Sequence, residues 1–530
     1  MKLLSNFALF LLLGSSSAIA APAVKPGSLL VKRKLNAGIT TLSTVHAKAH
    51  TTSLRRFNYP AGLELVQVQS GTTDEQALAV YRTDPNIEYA EPNYIVHALD
   101  LPNDTYFKYQ WGLNNVGQTG GTVDTDINAP EAWSILSGSD SVVLGTIDTG
   151  FDYTHPDLTN NIWTNSQEIP GNGIDDDGNG YIDDVHGINA ITGTGDPMDD
   201  NMHGTHVAGI IGAQGNNGLG VSGVMQKTKI IACKFLDAQG SGDTGSAITC
   251  MNYYAALAQR STDPVKVVAT NNSWGGGLES QAFTDAVAAH QKLGILFMAA
   301  ASNETNNNDV NPTFPSDIAL SNVISVAATD FKDNLASFSN YGRHSVHVAA
   351  PGVDILSTIP GAQYNYLSGT SMATPFVTGL AGYIKASDPT LDWVSIKNLI
   401  IAGGQPIAAA AQTTISGRRI RMIDTNGQGS VSCSNQTVVG RLLPKGNAYT
   451  IKLGQSIKLS LLKINCAKST QVRISSTNVN IKAGLLNDLG QGADDVAYDG
   501  VFNGYYKPTA VGRYTLAFPN GDNVSLTVKQ

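Results

Sequence analysis

Three short stretches of this 530-residue chain carry side chains that could do acyl-transfer chemistry together. Ser371 lies in Gly369-Thr-Ser-Met-Ala-Thr-Pro375, just before apolar residues at helical spacing, Phe376, Val377, Leu380, Ala381 and Ile384. That spacing puts Ser371 at the N-terminus of a buried helix, where free N–H groups favour a developing oxyanion. A serine there can equally be a simple cap, and its hydroxyl is a weak nucleophile without a base to take its proton. His203, opening His-Gly-Thr-His206, supplies a base at the start of another helix, and Asp148, in Asp-Thr-Gly150, supplies a carboxylate directly after an apolar strand. Acid, base and nucleophile in the chain order Asp, His, Ser is one of the orders in which a catalytic triad occurs.

The elements that must position them alternate. Val142–Ile147, Ile230–Phe235, Val265–Thr270, Ile295–Ala300 and Val323–Ala328 are apolar enough for strands buried on both faces. Helical patterns fall after His203, at Ser246–Gln259, at Glu279–Lys292 and after Ser371. The expected fold class is therefore α/β, a parallel sheet with helices on both faces, whose functional residues collect at the carboxyl ends of the strands.

Around this domain the composition changes. Lys2, the apolar run Phe7–Leu13 and Ala18-Ile-Ala20 form a secretory signal, residues 1–20. No later segment is long and apolar enough to span a bilayer, so a secreted protein without an integral membrane segment is expected. Val24 to Leu63 holds seven Lys or Arg and no Asp or Glu. With strand-like runs at Ser28–Lys32 and Leu63–Val68 and a helix over Asp74–Arg82, residues 21–98 have the size of a small α/β module. After about Asp424, short period-two runs separated by Gly, Asn and Asp predict an all-β sandwich over 425–530. Cys433 and Cys466 in that region could pair; Cys233 and Cys250 are either a disulfide or two buried thiols, and spacing leaves both open.

Charge is unevenly spread. Between Tyr109 and Gln226 there is no Lys or Arg, whereas carboxylates crowd into Asp175-Asp-Asp-Gly-Asn-Gly-Tyr-Ile-Asp-Asp184. Asp175, Asp177, Asn179 and the carbonyl of Tyr181 alternate as calcium ligands do, and Asp183 or Asp184 could close the shell, although the full EF-hand spacing is missing. The net charge of −9 and the lack of a basic patch outside residues 24–63 argue against nucleic acid as a partner.

At its three motifs the chain closely resembles the subtilisin-like serine proteases, over about Pro102 to Ala402. The resemblance implies Ser371 as nucleophile, His203 as general base and acid, Asp148 as the group orienting the imidazole, and Asn303, in Met298-Ala-Ala-Ala-Ser-Asn303, as the oxyanion side-chain donor beside the backbone N–H of Ser371. It further implies that Ser273-Trp274-Gly275 pairs with the substrate backbone and lines its side-chain pocket with Ala300, Ala301 and Ser302; Phe314-Pro315 falls where family members often carry a cis peptide. A strong Ca2+ site would use Asp157, Asn217, the carbonyls of Gly215, Leu219 and Val221, and Asp104. Residues 21–98 become an inhibitory propeptide, an intramolecular partner cut near Tyr94–Leu99, ahead of a catalytic domain at 99–424. The expected protein is a monomeric, secreted serine endopeptidase acting on proteins or peptides. Met202, Ser302 and Phe376 depart from the glycine, glycine and histidine common in the family. The alternative is a catalytically silent binding or adhesion protein using aromatics of the C-terminal module, Tyr498, Phe502, Tyr505 and Tyr506.

Overall fold

The computed structural model describes residues 24–35, 39–94, 101–422, 437–464, 471–476 and 484–530. It divides into two units, Met1–Ala98 and Leu99–Gln530.

In the first unit four antiparallel strands lie in the order Thr51–Arg56, Leu63–Val68, Val24–Arg33 and Ile87–Tyr94. Helices Ile39–Lys48 and Asp74–Thr83 pack their apolar residues, among them Leu42, Val45, Leu78 and Tyr81, onto Leu29, Val31 and Val66 of the sheet. The expected helix start at Thr73 is a capping box. Its hydroxyl accepts the Gln76 N–H at 3.2 Å, and the Gln76 carboxamide accepts the Thr73 N–H at 2.9 Å. Helix Ile39–Lys48 and strand Thr51–Arg56 escape the sequence patterns because β-branched residues blur the helical signal. His46 is a core residue of this unit, 2.6 Å from the Tyr81 hydroxyl.

The second unit is built on a nine-stranded sheet. Its parallel strands are β1 (Gly138–Asp148), β2 (Gly187–Asn189), β3 (Lys227–Lys234), β4 (Val267–Asn272), β5 (Leu296–Ala300), β6 (Val323–Thr329) and β7 (Val348–Pro351). They lie in the order β7-β6-β5-β4-β1-β3-β2, with two short strands, Arg418–Arg419 and Gln405–Pro406, beyond β7. The strands read as continuously apolar because each face of the sheet has its own core. Leu144, Ile230, Leu296, Met298, Ile324 and Val326 pack on one side with helices α1 (His203–Gly212), α4 (Thr370–Ser387) and α5 (Trp393–Gly403). Ile147, Ile231, Phe297, Ala299 and Val323 pack on the other with α2 (Thr244–Ala258) and α3 (Gln281–Lys292). Cys233 of β3 and Cys250 of α2 form a disulfide with Cα atoms 5.6 Å apart, settling the choice that spacing left open. Cys433 and Cys466 lie outside the described residues.

The C-terminal β-rich region has eight strands hydrogen-bonded in one series and an apolar core of its own, which includes Leu461, Phe502, Tyr506, Leu516 and Leu526. Phe502 and Tyr506 are thus interior, while Tyr498 and Tyr505 are exposed. This region is not a bead on a linker. Val438, Leu462 and Ile464 belong to the same core cluster as Ile396, Ile400, Ile415 and the sheet. Beside them Arg441, 1% exposed, donates to His344 Nε2 at 2.8 Å, to Asp522 at 3.2 Å, to Asn447 Oδ1 at 2.6 Å and to the carbonyls of Pro444 and Gly446. His344 Nδ1 in turn donates to the Arg441 carbonyl at 2.7 Å, so its other nitrogen is free to accept. Among the described residues no helix is long and apolar enough to cross a membrane.

Removing a buried, fully bonded guanidinium strands its acceptors and its counter-ion, typically at about 3–5 kcal/mol. Arg441→Ala should therefore lower the urea midpoint of the whole second unit, with probes in the parallel sheet and in the C-terminal region shifting together in one transition.

Candidate active site

Asp148 is the last residue of β1 and fully buried, and His203 opens α1. Two glycines bring them together. A Cβ on Gly204 would fall 1.9 Å from the Gly150 carbonyl oxygen, and one on Gly150, at φ +89°, would fall 2.0 Å from that of Pro197. Only glycine allows this backbone approach. The Thr149 hydroxyl accepts the Gly204 N–H at 2.8 Å, and His203 Nδ1 then donates to Asp148 Oδ1 at 2.7 Å. Lys234, buried at the end of β3, supports the turn by donating to the Thr149 carbonyl at 3.0 Å.

Asp199 completes the environment of the imidazole. One of its oxygens accepts the N–H groups of Asn201 and Met202, and the other accepts the N–H and hydroxyl of Thr205 in the first turn of α1. Burial alone would depress the His203 pKa, but the carboxylates of Asp148 and Asp199 outweigh it and hold the imidazole above its ordinary value. Three residues on, His206 goes the other way. It is buried, its Nε2 faces the carbonyls of Ile355 and Asn365 at 3.0 Å, and burial lowers its pKa to about 3. It is a neutral strut, not half of a metal pair.

Ser371 sits in the first turn of α4, with Pro375 inside the helix. A proline at 375 has no N–H to give to the carbonyl four residues back, which is that of Ser371. That carbonyl instead accepts the Ser273 hydroxyl at 2.8 Å, and the Ser371 hydroxyl donates to the Ser273 carbonyl at 3.0 Å. Asn271 Nδ2 donates to the Ser273 hydroxyl at 2.8 Å and is itself anchored by Thr378 of α4. No hydrogen bond joins Ser371 to His203 in this arrangement; the hydroxyl points to the segment that follows β4.

Asn303 follows β5 and is exposed. Its Oδ1 accepts both the N–H and the hydroxyl of Thr370, at 2.9 and 3.0 Å, which leaves Nδ2 turned toward Ser371. A Cβ built on Gly369 would lie 3.5 Å from Asn303 Nδ2, 3.5 Å from the Ser371 backbone nitrogen and 3.7 Å from Ser371 Cβ. Two donors therefore converge on one small volume beside the hydroxyl-bearing carbon. The Ser371 N–H, in a first helical turn, has no intrahelical acceptor.

Of the expected pocket residues, Gly275 is exposed and Trp274 half-buried, on an open edge that continues to Glu279. Trp274 stacks edge-on to Phe235 and Phe283. It borders a cavity of about 350 Å³ that also meets Leu236, Leu278 and Phe314. Ala300 and Ala301 are interior, the latter packed on Ala327 and Val346, so they back the cleft without lining it. Ser302 stands against Gly275, where a Cβ would approach its hydroxyl to 2.8 Å. Phe314-Pro315 is cis.

Asp157 and Asp104 are both buried, and each has its pKa raised by burial first, against the hydrogen bonds it accepts. Asn217 Nδ2 donates to Asp157 at 2.7 Å, and the Asn216 N–H donates to Asp104 at 2.8 Å. The carbonyls of Gly218 and Gly220 accept hydrogen bonds from Thr105 and Tyr106, whereas those of Gly215, Leu219 and Val221 accept none among the described residues. A carboxylate pair beside unpaired carbonyl oxygens is a donor set that fits a hard cation.

In the acidic loop the carboxylates of Asp175 and Asp177 gather with that of Glu168, which the sequence reading missed. Glu168 organises the loop by accepting the N–H groups of Asp176, Asp177 and Asp183. Asp183 and Asp184 do not close this shell. Asp183 accepts the N–H groups of Gly171, Asn172 and Gly173, and Asp184 accepts from Tyr253, Asn165 and Asn179. Asn179 and Tyr181 remain on the loop, and Arg260 pairs with Asp177.

The subtilase family model matches residues 139–416, more than half of the chain. This chain is a subtilase. A fervidolysin N-terminal prodomain model matches residues 20–93. The thermophilic serine proteinase of Bacillus sp. (strain AK1) is 39% identical over 58% of this chain and 66% of its own length. Subtilisin-like protease 1 of Plasmodium vivax is 37% identical over 56% and 48%, so this chain spans about half to two-thirds of these curated relatives. Thermitase of Thermoactinomyces vulgaris is 37% identical over 53% of this chain and 85% of its own. A solved structure of a cold adapted subtilisin-like serine proteinase aligns over 59% of this chain and 97% of its own, at 28% identity and a TM-score of 0.45.

Two departures from the common subtilase pattern share a backbone cause. Met202, at φ +138°, and Ser302, at φ +87°, occupy the region that favours glycine, at positions where subtilases commonly have glycine. Each stores about 1–3 kcal/mol of backbone strain, next to His203 and Asn303 respectively. The third, Phe376, is simply buried against Gly112.

Because the folded-state pKa of His203 is raised, its protonated form adds stability below pH 6.5 that is lost as pH rises through the folded value. NMR titration of the imidazole in a Ser371→Ala background should give a pKa above 6.5. Asp199→Asn should bring it down toward that value, and an unmoved titration would exclude Asp199 as a contributor.

Proposed function

We propose that this subtilase is a secreted, monomeric serine endopeptidase, made as a precursor, self-processed and stabilised by calcium. The observation that carries the reading is that Asn303 Nδ2 and the Ser371 backbone nitrogen both lie 3.5 Å from one point beside Ser371 Cβ, the place of a Cβ that Gly369 lacks. Such a pair has a clear use where negative charge develops on an acyl oxygen.

In the proposed reaction a peptide lies along the segment Ser273–Gly275 that follows β4, where Gly275 is exposed, pairing with it as an added strand. Ser371 Oγ turns from the Ser273 carbonyl to His203 Nε2, gives up its proton and attacks the scissile carbonyl carbon. The oxyanion is received by Asn303 and the Ser371 N–H. Asp148 holds the Nδ1–H tautomer and stabilises the imidazolium, which then protonates the leaving amine. Water, deprotonated by the same imidazole, releases the acid and restores Ser371. The residues matched by the prodomain model would act as an intramolecular inhibitor. Its first half is basic and the enzyme domain is rich in carboxylates, a difference in charge that favours association.

Ser371→Ala should accumulate as uncleaved precursor and resist fluorophosphonate labelling. Asn303→Ala should still be labelled, with kcat about two to three orders of magnitude down. Normal maturation of pure Ser371→Ala would end the self-processing reading.

Asp104, Asp157 and Asn217 would hold one calcium ion with the three unpaired carbonyls, and Glu168, Asp175 and Asp177 a second. At the first site a bound ion supplies positive charge to the buried carboxylates of Asp104 and Asp157; at the second it joins Arg260, which already pairs with Asp177. At calcium 100-fold above Kd each site adds about 2.7 kcal/mol, so chelation should lower the thermal midpoint of Ser371→Ala protein. Asp157→Asn should remove part of that drop; equal midpoints with and without chelator would contradict it.

A further inference from the structure

The C-terminal module contains a carboxylate cluster that nothing in the proposed reaction uses. Asp488, Asp494 and Asp499 lie between strands Gly484–Asn487 and Val501–Tyr506 and are 4%, 3% and 0% exposed. One oxygen from each lies within 4.8 Å of the others, about twice the ~2.4 Å of a calcium–oxygen bond. Local donors satisfy most of the remaining valences. Asp488 accepts the N–H groups of Asp499 and Gly500 at 3.0 and 3.1 Å. Asp494 accepts Asn503 Nδ2 at 3.0 Å and the Gly490 N–H at 2.7 Å. Asp499 Oδ1 accepts the Val501 N–H at 2.8 Å, but its Oδ2 is buried with no hydrogen bond at all.

The cation nearest to that orphaned oxygen among the described residues is Lys397 Nζ, on α5, at 3.6 Å. Three carboxylates against one ammonium leave a buried excess of negative charge, which costs several kcal/mol per uncompensated ion. The donors are all oxygen, with no His or Cys, which selects a hard cation. Irregular carboxylate geometry suits calcium better than the strict octahedron of magnesium.

We propose that Asp488, Asp494 and Asp499 bind a calcium ion inside the C-terminal module, directly beneath α5 of the catalytic sheet. The ion relieves the excess charge and clamps the 488–499 segment where it meets Lys397. This site is independent of those assigned to Asp157 and Glu168 and of catalysis.

The test counts ions on the full Ser371→Ala chain by equilibrium dialysis against calcium after chelation. Asp494→Asn should bind one calcium fewer than the parent. Lys397→Met, which removes the competing ammonium, should keep the parental count and bind one ion several-fold more tightly. An Asp494→Asn protein with the parental circular dichroism and the parental count overturns the proposal. If that variant does not fold, Lys397→Met decides alone, and unchanged affinity at every site overturns it.

Discussion

The first turn of α4 is tied to the sheet edge by two hydrogen bonds running in opposite senses between Ser273 and Ser371. Everything at the site depends on this register. One bond exists because Pro375 withholds the N–H that would otherwise occupy the Ser371 carbonyl. A feature that costs the helix a bond thus fixes a hydroxyl relative to the end of β4, to Thr370 and, through Thr370, to Asn303. The helix interior, from Met372 to Ile384, is buried and can bear the loss.

The same economy governs the histidines. His203 and His206 occupy one helical turn and experience opposite fields. Two carboxylates face the first, and two carbonyls and an apolar interior face the second. A charge-bearing group and a permanently neutral one therefore coexist in a four-residue motif. The difference comes from what the rest of the chain brings to them, Asp148 and Asp199 in one case, the 355–367 hairpin in the other.

Much of this could be read before any coordinates. Asp148 at a strand end, His203 and Ser371 at helix starts and Asn303 after β5 follow from apolar runs and motif spacing, because those signals are local. The misses are non-local. Asp199 and Glu168 act by accepting N–H groups along the chain, and a lone carboxylate does not announce which amides it will meet. Asp183 is one of two residues that spacing allows to close the shell begun by Asp175 and Asp177, yet the turn at Gly171–Gly173 offers it three N–H groups and wins. Helix α5 has a clear Asp392 cap, but its apolar run Leu399-Ile400-Ile401-Ala402 reads equally as strand. Ala301 was placed in a pocket by resemblance, and its methyl turned inward because the next strands over supply Ala327 and Val346.

The continuous apolar interior shared by the catalytic sheet and strands Val438–Leu443 and Ile457–Ile464 has a practical corollary. A shortened polypeptide ending where the subtilase match ends, at residue 416, would bare Ile396, Ile400 and Ile415 to water. Such a fragment would carry a sticky flank and tend to precipitate. For this subtilase the unit of expression, crystallisation or immobilisation therefore includes the C-terminal β-rich region.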